Sequence, residues 1–308
     1  MAYKTEPVEA GTIQSEDIII ALMGLTGSGK SQIIDSLTGQ NTRAAKSLKT
    51  CADGVSAYRV LDHEKYGNRL VLVDTPGFDA THKTDRQILE MISKWMTKTY
   101  KRRVTLTAIF YVHRITDLQV SGTAHHNLCM FAELCGDKSA RNVMLVTTMW
   151  DNVKDIPAAE KKEANLKERY WNVMIHHGAS VGRFHKIGTG PNSPWEMVDK
   201  MVRQHQLGQA LLLQQEMVDE GKRLEQTNAG KALSSNLRIL LIKQKRLLEG
   251  ERADADVEGD SEMAALRAEI EKEFEHMKTP LGRRIALLFG RAFGNAKKEQ
   301  AAAITVAN

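Results

Sequence analysis

Lys30 and Ser31 close the stretch Gly24-Leu25-Thr26-Gly27-Ser28-Gly29-Lys30-Ser31, a G-x-x-x-x-G-K-S spacing. A loop with so little side-chain bulk lets backbone N–H groups wrap a polyphosphate, and the helix that follows adds its unpaired N–H groups to the same anion. In that arrangement Lys30 reaches the β- and γ-phosphates and Ser31 holds magnesium, with Thr26, Ser28 and Gln32 part of the same binding stretch. A glycine-containing turn can match the spacing by accident. The context argues otherwise: Asp17-Ile18-Ile19-Ile20-Ala21-Leu22-Met23 reads as a buried strand before the loop, and Gln32-Ile33-Ile34-Asp35-Ser36-Leu37 as a helix after it.

Asp74-Thr75-Pro76-Gly77-Phe78-Asp79 is the second place where residue types suggest chemistry. An aspartate at the carboxyl end of a strand, followed by a Pro-Gly turn, can hold magnesium through water and aim the Gly77 N–H at a γ-phosphate. Alone, the string is an ordinary turn. Behind the apolar run Leu70-Val71-Leu72-Val73 and downstream of the glycine loop, it becomes specific.

Two further strand ends carry polar residues. Leu106 to Val112 leads into His113-Arg114-Ile115-Thr116-Asp117, and Asn142 to Thr147 leads into Thr148-Met149-Trp150-Asp151.

These four clusters need a scaffold that brings strand ends together. Tyr58 to His63 alternates as a half-exposed strand, and a turn at Tyr66-Gly67-Asn68 makes a hairpin with the Leu70 run. Arg86 to Tyr100 places Ile88, Met91, Ile92, Trp95 and Met96 at helical spacing, so its Met and Trp stripe is core. Helices are expected over Ser121 to Leu134, with Gly136 as the stop, over Ala158 to His177, and from Pro194 onward; a short strand is expected at Arg183-Phe184-His185-Lys186-Ile187. Strands alternating with helices call for an α/β fold, a mostly parallel sheet covered on both faces, with ligands at the carboxyl ends of its strands.

Past residue 200 the pattern changes to Leu, Gln, Lys and Glu without proline up to Leu248, a helical extension folded against the globular part. The expected organisation is a flexible polar N-terminus at 1–16, a nucleotide domain at 17–206, the helical extension at 207–280 and a basic, apolar tail at 281–308. Arg283 to Phe293 in that tail could lie in a membrane interface as a peripheral contact, or dock as ordinary core, which the short apolar face favours.

Composition narrows the partners. A net charge of +5 over 308 residues, with acidic and basic residues intermixed, gives no case for nucleic acid. Cys51, Cys129 and Cys135 form no metal-ligand spacing and cannot all pair, which suits a reducing, cytoplasmic setting. The N-terminus lacks the charged-then-apolar pattern of a signal peptide, and no apolar run reaches the roughly 18 residues of a membrane span.

With the glycine loop, the Asp-Thr-Pro-Gly box and a terminal-strand Asp in order, residues 17 to 200 resemble a translation-factor-class P-loop GTPase. More narrowly they resemble the septin-like branch that holds the immunity-associated GTPases and the chloroplast import receptors. The strings "IIALMG", "TGSGKS", "LVDTPGFD", "YVHRITD" and "VTTMWD" are closest in texture to fungal G-domain proteins. The resemblance implies the three-layer sandwich of a P-loop GTPase and the binding of GTP or GDP with Mg2+. It puts Gly24, Thr26, Gly27, Ser28, Gly29, Lys30, Ser31 and Gln32 on the phosphates, Asp74 and Gly77 at the γ-phosphate, and Thr148 and Asp151 in the base box.

An aspartate can accept two hydrogen bonds from guanine N1 and N2, which adenine does not match. Met149 stands where the family usually carries a lysine whose stem covers the base, and a thioether chain can pack there instead. The magnesium-binding switch threonine should fall within Gln40 to Ser56, where Thr50 is preferred and Thr42 and Ser47 stay open. The last base-binding box should fall in Gly188 to Ser193, which gives no clear match.

In a Ras-type site a glutamine just after the Asp-x-x-Gly turn orients the attacking water, and here that position is Phe78. Hydrolysis is then slow, or the missing group comes from elsewhere. The immunity-associated GTPases pair nucleotide face to nucleotide face, so by resemblance Arg114 becomes a candidate finger donated across a homodimer. An equal reading has His113, Arg114 and Asp117 pairing with one another at a strand end. The expected activity is GTP hydrolysis by a switch or scaffold, catalytic residues Lys30, Thr50, Gly77 and Arg114, with Ser31, Thr50 and Asp74 at the metal. The competing readings are a module that binds nucleotide without hydrolysing it, and a P-loop ATPase or phosphotransferase.

Overall fold

The computed structural model describes residues 2–40, 54–80, 83–117, 122–185, 193–204 and 209–234. The chain divides into two compact units, Met1–Ser234 and Ser235–Asn308, and the second lies outside the described residues, as do Thr42, Ser47, Thr50, the 281–308 tail and all but Ser193 of the last base box.

Alternation along Ile18–Gly24 (β2) shows why the sheet is covered on both faces. Ile19, Ala21 and Met23 enter one apolar cluster while Ile20 and Leu22 enter the other, and all five are essentially fully buried. Seven strands run in the order β1-β3-β4-β2-β5-β6-β7, with Thr5–Pro7 (β1), Ser56–Val60 (β3), Leu70–Asp74 (β4), Ala108–Arg114 (β5), Val143–Thr148 (β6) and Ser180–Arg183 (β7). Pairing is parallel from β4 through β7, and antiparallel only where β3 meets β4 and β1 meets β3. β2 therefore lies between β4 and β5, and its carboxyl end opens where the strand order reverses, the place where open α/β sheets bind ligands.

Lys30–Thr38 (α1) and Pro194–Gln204 (α6) cover one face through Ile33, Ile34, Leu37, Met197, Val198 and Met201. The other face receives Asp85–Tyr100 (α2), which starts on a Thr84 capping box and buries Ile88, Ile92, Trp95 and Met96, together with Gly122–Cys135 (α3) and Ile156–Asn165 (α4). Leu211, Leu213 and Ala229, from the segment expected as an extension, belong to that same cluster. No helix among the described residues is long and apolar enough to cross a membrane.

Three expectations change. The first sixteen residues are not a free polar lead: β1 pairs with β3 through Thr5 and Val60, and Ala10 and Ile13 are buried. Three residues are too few to show an alternation, and Pro7 sits on an edge strand, where its missing N–H does no harm.

The helix expected over Ala158 to His177 breaks into α4, a π turn at Leu166–Tyr170 and a short helix, Asn172–His176 (α5). Ala159, Glu163 and Leu166 set a buried stripe whose next regular member would be Tyr170. The π turn, closed by Trp171 N–H to Leu166 O at 2.9 Å, adds one residue and turns Trp171 inward instead. Finally, β7 precedes the expected strand. Gly182, which discourages a strand reading, lies inside it where the sulfurs of Met144 and Met197 pack closely, each 3.0 Å from the point a Cβ would occupy.

Candidate nucleotide site

The phosphate loop begins on the last residue of β2. Gly24, Gly27 and Gly29 have φ of 139°, 73° and 99°, values that glycine adopts without strain. Gly24 has a further reason: a Cβ there would stand 2.3 Å from the carbonyl oxygen of Val112 on neighbouring β5. Gly29 then starts α1 with no side chain capping the first-turn N–H groups, and the buried hydroxyl of Ser28 has no hydrogen-bond partner among the described residues. Free helix N–H groups beside an orphaned hydroxyl fit an anion.

Lys30 is buried and donates from Nζ to the carbonyls of Gly24 at 3.2 Å and Leu25 at 2.9 Å, so its ammonium is folded over the loop. Burial pushes its pKa down to about 8, and the charge of Asp74 opposes part of that shift. Next to it, Ser31 donates from Oγ to Asp74 Oδ2 at 2.8 Å, bringing a hydroxyl and a carboxylate oxygen together at the mouth of β2 and β4. Two hard oxygen donors at such a spacing suit a magnesium ion. Gln32, in the first turn of α1, is half-buried.

The Asp-Thr-Pro-Gly turn lies directly on the loop. Thr26 N–H donates to Phe78 O at 2.9 Å, Phe78 N–H donates to Gly24 O at 3.2 Å, and the Thr26 hydroxyl adds bonds to Gly77 O and Phe78 O at 3.3 and 3.1 Å. Gly77 must be glycine at this approach, since a Cβ would fall 2.6 Å from Thr26 Cα. Phe78 is 0% exposed and belongs to the core beneath the turn, so the residue after Gly77 offers no polar group at the phosphate end.

Two more strand ends arrive at the same edge. At the end of β5, Arg114 Nε pairs with Asp117 Oδ1 at 2.8 Å, and its guanidinium also stands over the loop, with one terminal nitrogen 3.3 Å from the point a Cβ on Gly27 would occupy. His113 does not join that pair. It is buried edge-on to Trp171 at 6.3 Å, and burial lowers its pKa despite Asp117 nearby. Lys162 of α4 holds the segment from behind by donating to Ile115 O and Asp117 O at 3.0 and 2.7 Å.

At the end of β6, Thr148 is fully buried and donates to Ser28 O at 2.7 Å and to His113 O at 3.3 Å. The pattern groups Thr148 with the base contacts, but its hydroxyl braces the phosphate loop. Met149 follows at φ 63°, Trp150 turns into the core, and Asp151 emerges exposed in the short turn Trp150–Asn152.

Residues 19–148 match the model of the family described as 50S ribosome-binding GTPase. That segment runs from β2 to the end of β6 and holds the phosphate loop and the Asp74 turn.

No curated protein sequence matches the chain. Among solved structures it is similar to Toc33 from Arabidopsis thaliana in complex with GDP and Mg2+, at 16% identity and TM-score 0.46, covering 61% of this chain and 84% of that one. It is also similar to the cytosolic domain of the T. maritima FeoB iron transporter in its GMPPNP form, at 17% identity and TM-score 0.39, covering 83% and 95%. A third likeness is to the translation elongation factor SelB from Methanococcus maripaludis with GppNHp, at 17% identity and TM-score 0.38, covering 61% and 34%.

Behind the Thr148–Asp151 corner lies a set of polar residues that the motifs do not announce. Glu163 of α4, 1% exposed, accepts from Arg183 of β7 through Nε at 3.1 Å and Nη2 at 2.8 Å, from Lys167 at 2.8 Å and from Thr147 Oγ1 at 3.0 Å. Thr147 in turn accepts from the Trp150 indole N–H at 2.9 Å, and the Arg183 guanidinium lies 4.3 Å from the Trp150 ring centre. Burial alone would raise the Glu163 pKa, but the bonds from Arg183, Lys167 and Thr147 outweigh it and keep the group below the usual carboxylate range. A Glu on an otherwise charged helix gives no sequence signal of such a role. Its spacing from Ala159 and Leu166 on the buried stripe is the only hint.

Proposed function

We propose that this protein binds guanine nucleotide with Mg2+ and hydrolyses GTP slowly, or with help from a second copy, as a nucleotide-dependent switch or scaffold. The burial of Phe78 carries the reading. A phosphate loop, a Ser31–Asp74 oxygen pair and a γ-phosphate turn surround the place for a triphosphate, yet the residue that would orient water points into the core.

In this account the loop N–H groups and Lys30 bind the phosphates, Ser31 and Asp74 hold the metal, and Thr148 keeps the loop backbone in place from below. Bound magnesium supplies charge neutralisation on the phosphate oxygens. Asp151 selects guanine. The switch threonine, with Thr50 first choice, completes the metal contacts. The likeness to the septin-like, immunity-associated branch and to fungal G-domain proteins is part of this proposal and rests on the motif strings alone.

Arg114, donated by a second copy across a homodimer, supplies the missing charge. It already stands beside Gly27 while paired to Asp117, an ion pair of two partly exposed groups that exchanges at little cost. An arginine delivered to the transferring phosphoryl group is worth roughly 10³–10⁵ in rate. Phe78 also keeps a second reading in view, a nucleotide-binding module with negligible turnover. Single-turnover hydrolysis at rising protein concentration separates them. The rate per molecule should climb with concentration, and Arg114→Ala should abolish the climb while leaving GTP affinity near its original value. A flat series removes the paired mechanism, and a flat series at zero rate leaves the binding module.

A further inference from the structure

The base corner is held at an awkward angle. Met149 sits at φ 63°, a left-handed conformation that disfavours a side chain of its type, and Asp151 is exposed two residues on. Such a turn persists only if its surroundings hold it. The Thr148 hydroxyl bonds the phosphate loop, so it does not fix the residues that follow. Asn152 N–H donates to Met149 O at 3.1 Å within the turn, and Trp150, the residue between Met149 and Asp151, ties the turn to the core, its indole N–H ending on Thr147.

Thr147 is oriented by Glu163, and Glu163 by Arg183 and Lys167. Arg183 closes the circuit by covering the Trp150 ring and by reaching Glu160 at 3.2 Å. β6, α4 and β7 are thus tied at one buried carboxylate. β7 also runs on through Phe184, whose N–H donates to Thr147 O at 2.8 Å, so the same tie anchors the chain that leads to the expected last base box.

We propose that Glu163 is a positioning residue for base selection: its buried carboxylate, gripped by Arg183 and Lys167, fixes Thr147 and through it the Trp150 indole, and so sets how the Met149–Asp151 turn presents the Asp151 carboxylate to a purine. The inference rests on the guanine-nucleotide reading. A buried ion pair can serve stability alone. The distinguishing feature here is that one line of hydrogen bonds runs from Glu163 through Thr147 Oγ1 to the Trp150 indole N–H, inside the turn that bears Asp151.

The test uses the full chain with Mg2+ and compares binding of GTP with that of ITP, which lacks the 2-amino group an aspartate would accept from. Glu163→Gln should weaken GTP about tenfold and ITP far less, the scale of one charge-assisted hydrogen bond moved out of register. Trp150→Phe, which keeps a ring but removes the donor, should lower the GTP/ITP ratio about threefold, a milder effect of the same kind. Placed on Asp151→Asn, Glu163→Gln should change the ratio no further, since residues acting through one hydrogen-bonded group are non-additive.

A drop that is equal for GTP and ITP, or a ratio change that persists in the Asp151→Asn background, overturns the positioning role and leaves a structural one. If Glu163→Gln fails to fold by circular dichroism, Trp150→Phe decides, and an unchanged ratio there also overturns it. Failure of the parent reading looks different: the unmutated protein would then bind GTP no better than ITP or ATP.

Discussion

The phosphate end and the base end of the proposed site are built by different means. At the phosphate end a contiguous glycine loop is held by side chains that bond to backbone carbonyls: Lys30 to Gly24 and Leu25, Thr26 to Gly77 and Phe78, Thr148 to Ser28. At the base end, side chains from β6, α4 and β7 are tied through one carboxylate, Glu163, far apart in sequence. The acceptors of those bonds are backbone carbonyls that no substitution alters, so a change at the first end acts through the donor side chain it removes or the bulk it adds at a glycine. The second depends on the chemistry of a few side chains, and single conservative substitutions should reach it.

The sharpest way to break that contrast is at Phe78, which packs under the phosphate end with no exposed surface. Phe78→Ala should cost about 3–5 kcal/mol of stability, as large-to-small changes in a tight core do, measured by denaturant unfolding. A loss much smaller than that would mean the ring is free to leave the core, and would restore a role for it near the nucleotide.

Next in size is the lysine. Lys30→Ala should lower nucleotide affinity about a hundredfold, the loss of charge-assisted bonds to phosphate, and should do so equally for GTP and ITP, because it acts only at the phosphate end. A change in the ratio between those two nucleotides would show that the ends are coupled.

The smallest effect is a pH dependence. The Lys30 pKa of about 8 lies below its ordinary 10.5, so the unfolded chain binds more protons between those values, and stability of the ligand-free protein gains with rising pH across that window. Phosphate binding needs the protonated amine, which is mostly present at pH 7 and is lost above the folded pKa. GDP affinity should therefore fall about fourfold from pH 7 to 8.5, and the fall should vanish in Lys30→Ala. An equal fall in that variant would assign the dependence to another group.

How much could be read in advance follows the same division. The glycine loop, β2, the β3–β4 hairpin and the Asp74 turn are contiguous runs whose period and punctuation survive in the sequence, and the structure places their ends together. The Met and Trp stripe of α2 is core, as its spacing requires.

Harder cases had their cause in tertiary context. β1 is three residues long, and only its partner β3 makes it a strand. The π turn before Trp171 obeys the need to bury a large ring, which overrides helical regularity without any breaker residue to mark it. Thr148 shares a four-residue motif with Asp151, yet strand alternation sends its hydroxyl to the phosphate loop while Thr147 faces Glu163. Glu163 and Arg183 meet only because β7 lies beside β6, a neighbour relation that no local pattern encodes.

In the proposed function one site grips a triphosphate through its loop and chooses guanine through Asp151. Competition titration of GTP, ATP and xanthosine triphosphate against the full chain with Mg2+, repeated on Asp151→Asn, tests it most directly. GTP should bind tighter than ATP by about tenfold or more, the worth of a paired hydrogen bond to a carboxylate, and the variant should shift toward xanthosine triphosphate, because the xanthine carbonyl accepts where guanine donates. Equal binding of GTP and ATP, with no shift in Asp151→Asn, would contradict it.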